Sequence, residues 1–173
     1  MKNIYKVIFM GSMGAGKTTA IKQLSQTSVV STEAKNNDLD RFNKSTTTVG
    51  LDYGIINIEE AIIHLYGSPG QEKFSFVWTT LIKGCDGAIV LVNDEQEGAL
   101  KEFEIYLEFL KSRKDNLPIV VGIGRINDKK FNIKPYEEML ERFLITCPIF
   151  LVDVRERKDC LFLLESITYQ IFN

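Results

Sequence analysis

The sequence predicts a single α/β domain over residues 1–173, with a mainly parallel sheet and helices on both faces. Short runs rich in Val, Ile and Leu alternate along the chain with longer segments of helical periodicity. A chain of 173 residues has the size of one domain and can bury its own core. Apolar residues make up 45% and charged residues 25%, which is usual for a soluble globular protein.

Six strands are predicted from the short apolar runs, each bounded by Gly, Pro, Asn or a turn. Apolar and polar residues alternate in one of them, and Glu59-Glu60 can turn it back into the next, which predicts one antiparallel hairpin. We therefore expect six strands with a hairpin strand at the edge. The predicted strands are Ile4–Met10, Leu51–Ile58, Ala61–Leu65, Ala88–Val92, Ile119–Val121 and Ile149–Val152.

Helical periodicity fills most of the remaining chain. Spacings of three and four residues between apolar positions predict helices that pack one face on the sheet. The stretch Ser28–Thr47 has no such period and is predicted to be a long loop, a kind of segment that is often functional. The predicted helices are Lys17–Gln26, Gln71–Lys83, Glu97–Lys114, Pro135–Leu144 and Arg157–Phe172.

Charge and composition exclude several classes of function. The chain has 21 Lys and Arg against 23 Asp and Glu, a net charge of −2, which argues against a nucleic-acid binder. Three scattered cysteines and one histidine form neither a disulfide framework nor a zinc pattern, which favours a reducing, cytoplasmic setting. We find no signal peptide, membrane span or lipidation signal and expect no direct membrane anchor.

A phosphate-binding loop is predicted directly after the first strand. The segment from Gly11 to Thr18 fits G-x-x-x-x-G-K-[ST] and opens the first helix. Its backbone amides would surround a phosphate, Lys17 would reach the terminal phosphates and the Thr18 hydroxyl would bind Mg²⁺. A glycine-rich turn without a ligand is the alternative. The candidate binding residues are Gly11, Ser12, Met13, Gly14, Ala15, Gly16, Lys17, Thr18 and Thr19.

Two further segments resemble the switches of small GTPases. Thr48-Val49-Gly50-Leu51-Asp52-Tyr53 resembles Rab-type switch I. Tyr66-Gly67-Ser68-Pro69-Gly70-Gln71-Glu72-Lys73-Phe74 resembles the Asp-x-x-Gly-Gln-Glu segment of switch II. With the phosphate loop, they make the chain similar to the prokaryotic branch of Ras-like GTPases, a P-loop NTPase three-layer sandwich fold. That branch is related to the signal-recognition-particle receptor β subunit and to gliding-motility polarity GTPases.

The resemblance implies a molecular switch that binds GTP or GDP with Mg²⁺ and hydrolyses GTP slowly. Thr48 would ligate Mg²⁺ and sense the γ-phosphate. The Gly70 amide would bind that phosphate, and Gln71 would position the attacking water. Effectors and a GTPase-activating protein would bind the switch regions, 32–51 and 67–80. Arg41 is a candidate arginine finger in cis, and Trp78 and Phe76 are candidates for an effector face or for the core.

The chain departs from the resemblance at the metal site. Gly67 stands where most Ras-like proteins have the switch II aspartate, which normally holds a Mg²⁺-bound water. Its loss should weaken the site, although Thr18, Thr48 and the phosphates can still hold the ion. A further hypothesis is that Asp38 or Asp40 reaches the ion from the long loop.

The base-reading segment departs further. Gly124-Arg125-Ile126-Asn127-Asp128 stands where the family has Asn-Lys-x-Asp. The amide of Asn127 offers one acceptor and one donor instead of a carboxylate, which should reduce base discrimination, unless Asp128 does the reading. Arg125 would lie over the base. Asp153-Val154-Arg155 stands where the family has Ser-Ala-Lys, which would bring the Val154 amide to the guanine carbonyl.

Two other functions remain open from the sequence. The phosphate loop also resembles that of shikimate kinase, and Asp38-Leu39-Asp40 is similar to its Asp-x-Asp. A kinase of that type needs an arginine-bearing lid, and the hairpin and the Pro-Gly-Gln run have no role in it. The other alternative is a nucleotide-binding interaction module that does not hydrolyse, consistent with the altered Gly67 and Gly124–Asn127.

Overall fold

Seven strands form a single sheet in the described part of the chain. The computed structural model describes residues 2–35, 48–59, 61–114, 116–127 and 130–173. The strands are β1 (Asn3–Met10), β2 (Val30–Lys35), β3 (Thr48–Ile58), β4 (Ala61–Gly67), β5 (Gly87–Asn93), β6 (Ile119–Gly124) and β7 (Ile149–Leu151). Their order across the sheet is β2-β3-β4-β1-β5-β6-β7.

Parallel pairing dominates the sheet. β1 lies between β4 and β5, and the pairs β5–β6 and β6–β7 are also parallel. β3 is antiparallel to both of its neighbours, β2 and β4. The predicted α/β class and the β3–β4 hairpin are therefore confirmed. Because parallel strands point the same way, the loops that follow β1, β4, β5, β6 and β7 meet at one edge, where ligands bind in such sheets.

Helices cover both faces of the sheet. They are α1 (Lys17–Leu24), α2 (Ser75–Leu81), α3 (Ala99–Arg113), α4 (Lys134–Arg142) and α5 (Arg157–Phe172), and a 3₁₀ turn at Glu72–Phe74 precedes α2. No helix among the described residues has both the length and the apolar character needed to cross a membrane.

The core has two halves, because alternate residues of the central strands point to opposite faces. Val7 and Phe9 of β1 are buried in a cluster with α1 and α5, which contribute Ile21 and Leu163. Ile8 and Met10 are buried on the other face among residues of α2, α3 and α4. This arrangement is the three-layer sandwich that the sequence predicts.

Two details of the predicted topology are wrong. The sheet has seven strands instead of six, because Val30–Lys35 within the predicted loop Ser28–Thr47 pairs with β3. This also places β2, and not a strand of the hairpin, at the edge. A polar edge strand is hydrogen-bonded on one side only, and it therefore lacks the apolar pattern by which the buried strands are recognised.

Candidate functional site

The phosphate loop connects β1 to α1 at the ligand-binding edge of the sheet. Gly11, Gly14 and Gly16 have φ values of 143°, 82° and 97°, a region that favours glycine. No side chain caps α1 at Gly16, so side chains leave the first amides of this helix unbonded. Backbone amides at a helix N-terminus attract anions, and the loop therefore has the chemistry of a phosphate site.

Lys17 is folded into this loop. Its Nζ donates hydrogen bonds to the carbonyl oxygens of Gly11 and Ser12, each at 2.7 Å. The residue is buried, and burial lowers the pKa of Lys17 to about 8, against the opposing effect of the negative charges of Asp52 and Glu102. The ammonium group is thus held at the loop, where it can meet a polyphosphate with little loss of side-chain entropy.

The Thr18 hydroxyl of α1 donates a hydrogen bond to a carboxylate on strand β3. Thr18 Oγ1 donates to Asp52 Oδ2 at 2.5 Å, and Ser31 Oγ donates to Asp52 Oδ1 at 2.6 Å. Asp52 belongs to β3, where it pairs in register with Gly67 at the end of β4. The residue predicted to bind Mg²⁺ therefore already contacts an oxygen ligand of the type that this ion prefers.

The segment after β4 lies against the phosphate loop. A Cβ atom added at Gly70 would stand 2.4 Å from the backbone nitrogen of Met13, so only glycine fits there. The side-chain nitrogen of Gln71 lies 3.7 Å from Met13 Sδ. Tyr106 donates to the Gly70 carbonyl at 2.9 Å, and Trp78 Nε1 donates to the Pro69 carbonyl at 2.8 Å. The core thus holds Gly70 and Gln71 beside the loop.

Trp78 and Phe76 differ in their surroundings. Trp78 is 2% exposed and packs on Tyr106, with 5.0 Å between ring centroids. It is therefore a core residue, and the hypothesis of an effector contact is wrong for it. Phe76 is 65% exposed and stays a candidate for that surface.

A cleft of about 730 Å³ continues from the phosphate loop across the ends of β5, β6 and β7. Arg155 donates to both carboxylate oxygens of Asp153, with the shortest contact at 2.6 Å from Nη2, and these hydrogen bonds lower the pKa of Asp153 to about 2. The cleft has space for a planar base between polar groups. Its lining includes Ala15, Gly16, Thr19, Glu95, Arg125, Ile126, Asp153, Val154 and Arg155.

Most predicted site residues come together at this edge, and a few do not. Asn127 is exposed and does not line the cleft, although its backbone carbonyl accepts hydrogen bonds from Lys130 and Phe131. Thr48 begins β3 opposite Lys35. Four predicted candidates lie outside the described residues: Asp38, Asp40, Arg41 and Asp128.

Two acidic residues at the site were not predicted from sequence. Glu95 lines the cleft just after β5. The sequence includes Asp52 in the switch I resemblance but predicts no contact with Thr18 for it. A signal for Asp52 was available, because a hairpin that turns at Glu59 pairs Ile58 with Ala61 and hence Asp52 with Gly67.

Together the fold and the site define a P-loop nucleotide-binding domain, in which a phosphate loop, two switch-like segments and a base-sized cleft share one edge. The family described as Roc, the Ras of Complex domain of DAPkinase, matches residues 6–128. The chain belongs to this Roc/Ras-like family of small GTPase domains.

Relatives come from several branches of that superfamily. An uncharacterized protein of Methanocaldococcus jannaschii is 32% identical over 130 residues, which cover 73% of this chain and 75% of the relative. ADP-ribosylation factor-related protein 1 of Rattus norvegicus is 31% identical over 69% of this chain and 58% of its own length. Ras-related protein Rab-13 of Rattus norvegicus is 26% identical over 81% of this chain and 65% of its own length.

Proposed function

We propose that the protein is a guanine-nucleotide switch that hydrolyses GTP slowly with Mg²⁺ and signals through its switch loops to a protein effector. The observation that carries the proposal is the contact of Gly70 and Gln71 with Met13 of the phosphate loop. A segment in this place would sense whether a terminal phosphate is bound. Family membership favours this reading over the kinase alternative.

The phosphates would be bound by the loop Gly11–Thr19, with Lys17 on the terminal ones. Thr18 and Thr48 would ligate Mg²⁺, which supplies positive charge against the phosphates when bound. The donor set fits this ion, because the Thr18 hydroxyl and the Asp52 carboxylate are hard oxygen groups.

The base would lie in the cleft between Arg125 and the Asp153–Arg155 segment, facing the Val154 amide. Asn127 is exposed and Asp128 is outside the described residues, so the Asn-Lys-x-Asp position contributes no described carboxylate to the cleft. We therefore propose weaker guanine discrimination than an Asn-Lys-x-Asp segment provides.

Hydrolysis would proceed by attack of water on the γ-phosphate. Gln71 would align the water, the Gly70 amide would bind the phosphate and Lys17 would stabilise the developing charge. The candidate arginine finger, Arg41, lies outside the described residues, and such a group is worth about 10³–10⁵ in rate. A slow intrinsic reaction that a GTPase-activating protein accelerates is the expected behaviour.

Switching would involve the close packing of Gly70 on Met13. A terminal phosphate that uses the Met13 amide needs the space against which Gly70 now lies. Binding and hydrolysis of GTP would therefore move the segment that follows β4 and alter the surface that carries Phe76. We propose a cytoplasmic setting and the branch related to the signal-recognition-particle receptor β subunit as further details.

The decisive test is calorimetric titration with GTP, GDP, ATP and XTP, with and without Mg²⁺. We expect GTP and GDP to bind at least about tenfold more tightly than ATP, a difference of about 1.4 kcal/mol. Tighter binding of ATP would instead support the kinase alternative. Equal binding of XTP and GTP would show that the cleft does not read the exocyclic amino group of guanine.

Replacement of Gln71 by leucine tests hydrolysis. We expect Gln71→Leu to slow single-turnover GTP hydrolysis about 10-fold to 100-fold, because the water loses its orienting group. The measurement is phosphate release from a preloaded GTP complex. The control is Gln26→Leu, at an exposed residue after α1 that bonds to Asn57 away from the phosphate loop. An unchanged rate in Gln71→Leu would favour the interaction module that does not hydrolyse.

A further inference from the structure

The carboxylate of Asp52 reaches the phosphate loop from strand β3. Asp52 and Gly67 are directly paired in the antiparallel hairpin, and paired residues project side chains from the same face. The two oxygens of Asp52 accept one hydroxyl each, from Thr18 at 2.5 Å and from Ser31 at 2.6 Å. These two hydrogen bonds hold the carboxylate beside the Thr18 hydroxyl in the first turn of α1.

Gly67 leaves the space that this carboxylate occupies. A Cβ atom added at Gly67 would stand 3.1 Å from both Cβ and Oδ2 of Asp52, and 3.0 Å from Cδ1 of Ile21. A longer side chain at position 67 would compete with Asp52 for the same volume. Gly67 therefore leaves room for the Asp52 side chain, and this pair of opposed residues carries a single carboxylate.

The surroundings of Asp52 leave its charge uncompensated by a direct ion pair. The residue is 8% exposed, and within the described ranges its hydrogen-bond partners are two neutral hydroxyls. The ammonium group of Lys17 is close enough to interact with its charge but forms no direct ion pair with it. Buried carboxylates are usually paired with a cation or coordinate a metal. No three His, Cys, Asp or Glu side chains of the described residues cluster around a metal-sized site, so a cation here needs ligands beyond the protein.

We infer that Asp52 supplies the carboxylate of the Mg²⁺ site, in place of the aspartate that position 67 lacks. The inference rests on the proposed function, because the nucleotide phosphates complete the ligand set. By accepting the hydrogen bond of the Thr18 hydroxyl, Asp52 leaves the lone pairs of that oxygen free for the cation. The negative charge of Asp52 also attracts a divalent cation, and it repels a phosphate group that has no cation bound to it.

The test compares the release of a fluorescent GDP analogue in excess Mg²⁺ with its release in EDTA. We expect the parent to release the analogue faster in EDTA. The measured quantity is the rate of release in EDTA divided by the rate in Mg²⁺. In Asp52→Asn we expect this ratio to fall at least about tenfold, the usual effect of losing a group that orients a metal ligand. Glu59→Gln removes an exposed carboxylate from the same hairpin and should keep the parent's ratio.

The direction of the change in EDTA separates a metal role from a structural one. Without the ion, Asp52 repels phosphate, so release from Asp52→Asn in EDTA should be no faster than release from the parent. A purely structural role would speed release under both conditions, and that result would overturn the inference. Thermal unfolding of each variant without nucleotide reports its fold.

An exchange of the two residues gives a second test that does not depend on Asp52→Asn folding well. The double variant Asp52→Gly with Gly67→Asp moves the carboxylate across the hairpin and removes the side chain that would collide with it. We expect the logarithm of its ratio of release rates in EDTA and in Mg²⁺ to reach at least half of the parent's value. Asp52→Gly alone should stay below that value. Equal ratios in these two variants would count against the inference.

The remaining outcomes also discriminate. If the parent binds GDP and Mg²⁺ does not change its release, the inference fails while the proposed function stands. The same holds if Asp52→Asn keeps the parent's ratio. If the parent binds no guanine nucleotide in either condition, the proposed function fails and the inference fails with it.

Discussion

Replacing Lys17 by alanine should weaken nucleotide binding roughly 100-fold or more. The ammonium group would form charge-assisted hydrogen bonds to the phosphates, each worth about 1.5–3 kcal/mol, and tenfold in affinity corresponds to about 1.4 kcal/mol. Its present contacts with the carbonyls of Gly11 and Ser12 show that it is already held at the loop. Calorimetric titration with GTP and GDP in Mg²⁺ measures the loss.

Lys22→Ala is the matched control for that experiment. Lys22 is an exposed residue in the last turn of the same helix, and its loss removes an equal charge at the far end. We expect its effect on affinity to stay within about twofold, because exposed charges are strongly screened. Binding by Lys17→Ala within threefold of the parent would contradict the phosphate-loop assignment and the proposed function that depends on it.

The central sheet could be predicted from sequence because its strands are apolar on both faces. Val7 to Met10 are all buried, two on each side, and such a run is conspicuous in a sequence. Val30–Lys35 is a strand for a different reason, since it completes hydrogen bonds along β3. Pairing with a distant partner leaves no local period, so this edge strand was missed.

The site residues also differ in whether the sequence alone predicts them. Residues of the phosphate loop are contiguous, and their chemistry can be read from spacing alone. The carboxylate that accepts the hydrogen bond of Thr18 comes from Asp52, which is 34 positions away along the chain. The register of the hairpin places Asp52 opposite Gly67, and the packing of β3 beside α1 brings it to Thr18, so no local spacing predicts the contact. The base cleft is likewise shared by the ends of three strands.

Two alanine substitutions within the phosphate loop should differ strongly in stability. At Gly11, φ is 143° and an added Cβ would stand 2.2 Å from the carbonyl oxygen of Leu91. Leu91 pairs with Gly122 in the middle of the sheet, so its backbone cannot move aside cheaply. Strain and overpacking each cost about 1–3 kcal/mol, and we expect Gly11→Ala to lose about 2–5 kcal/mol of unfolding free energy.

Gly14→Ala isolates the conformational part of that cost. Gly14 has φ of 82°, and an added Cβ meets no atom within 4 Å. Only the left-handed backbone is penalised, which costs about 1–2 kcal/mol. For a domain of this size, 1 kcal/mol lowers the Tm by about 2–4 °C.

The two variants are compared by thermal unfolding without nucleotide, where binding cannot mask the difference. We expect Tm decreases of about 4–20 °C for Gly11→Ala and about 2–8 °C for Gly14→Ala. The difference between them reflects the collision with the Leu91 carbonyl together with the less favourable φ at Gly11. Equal decreases would show that β1 and β5 do not hold the start of the phosphate loop as tightly as the packing indicates.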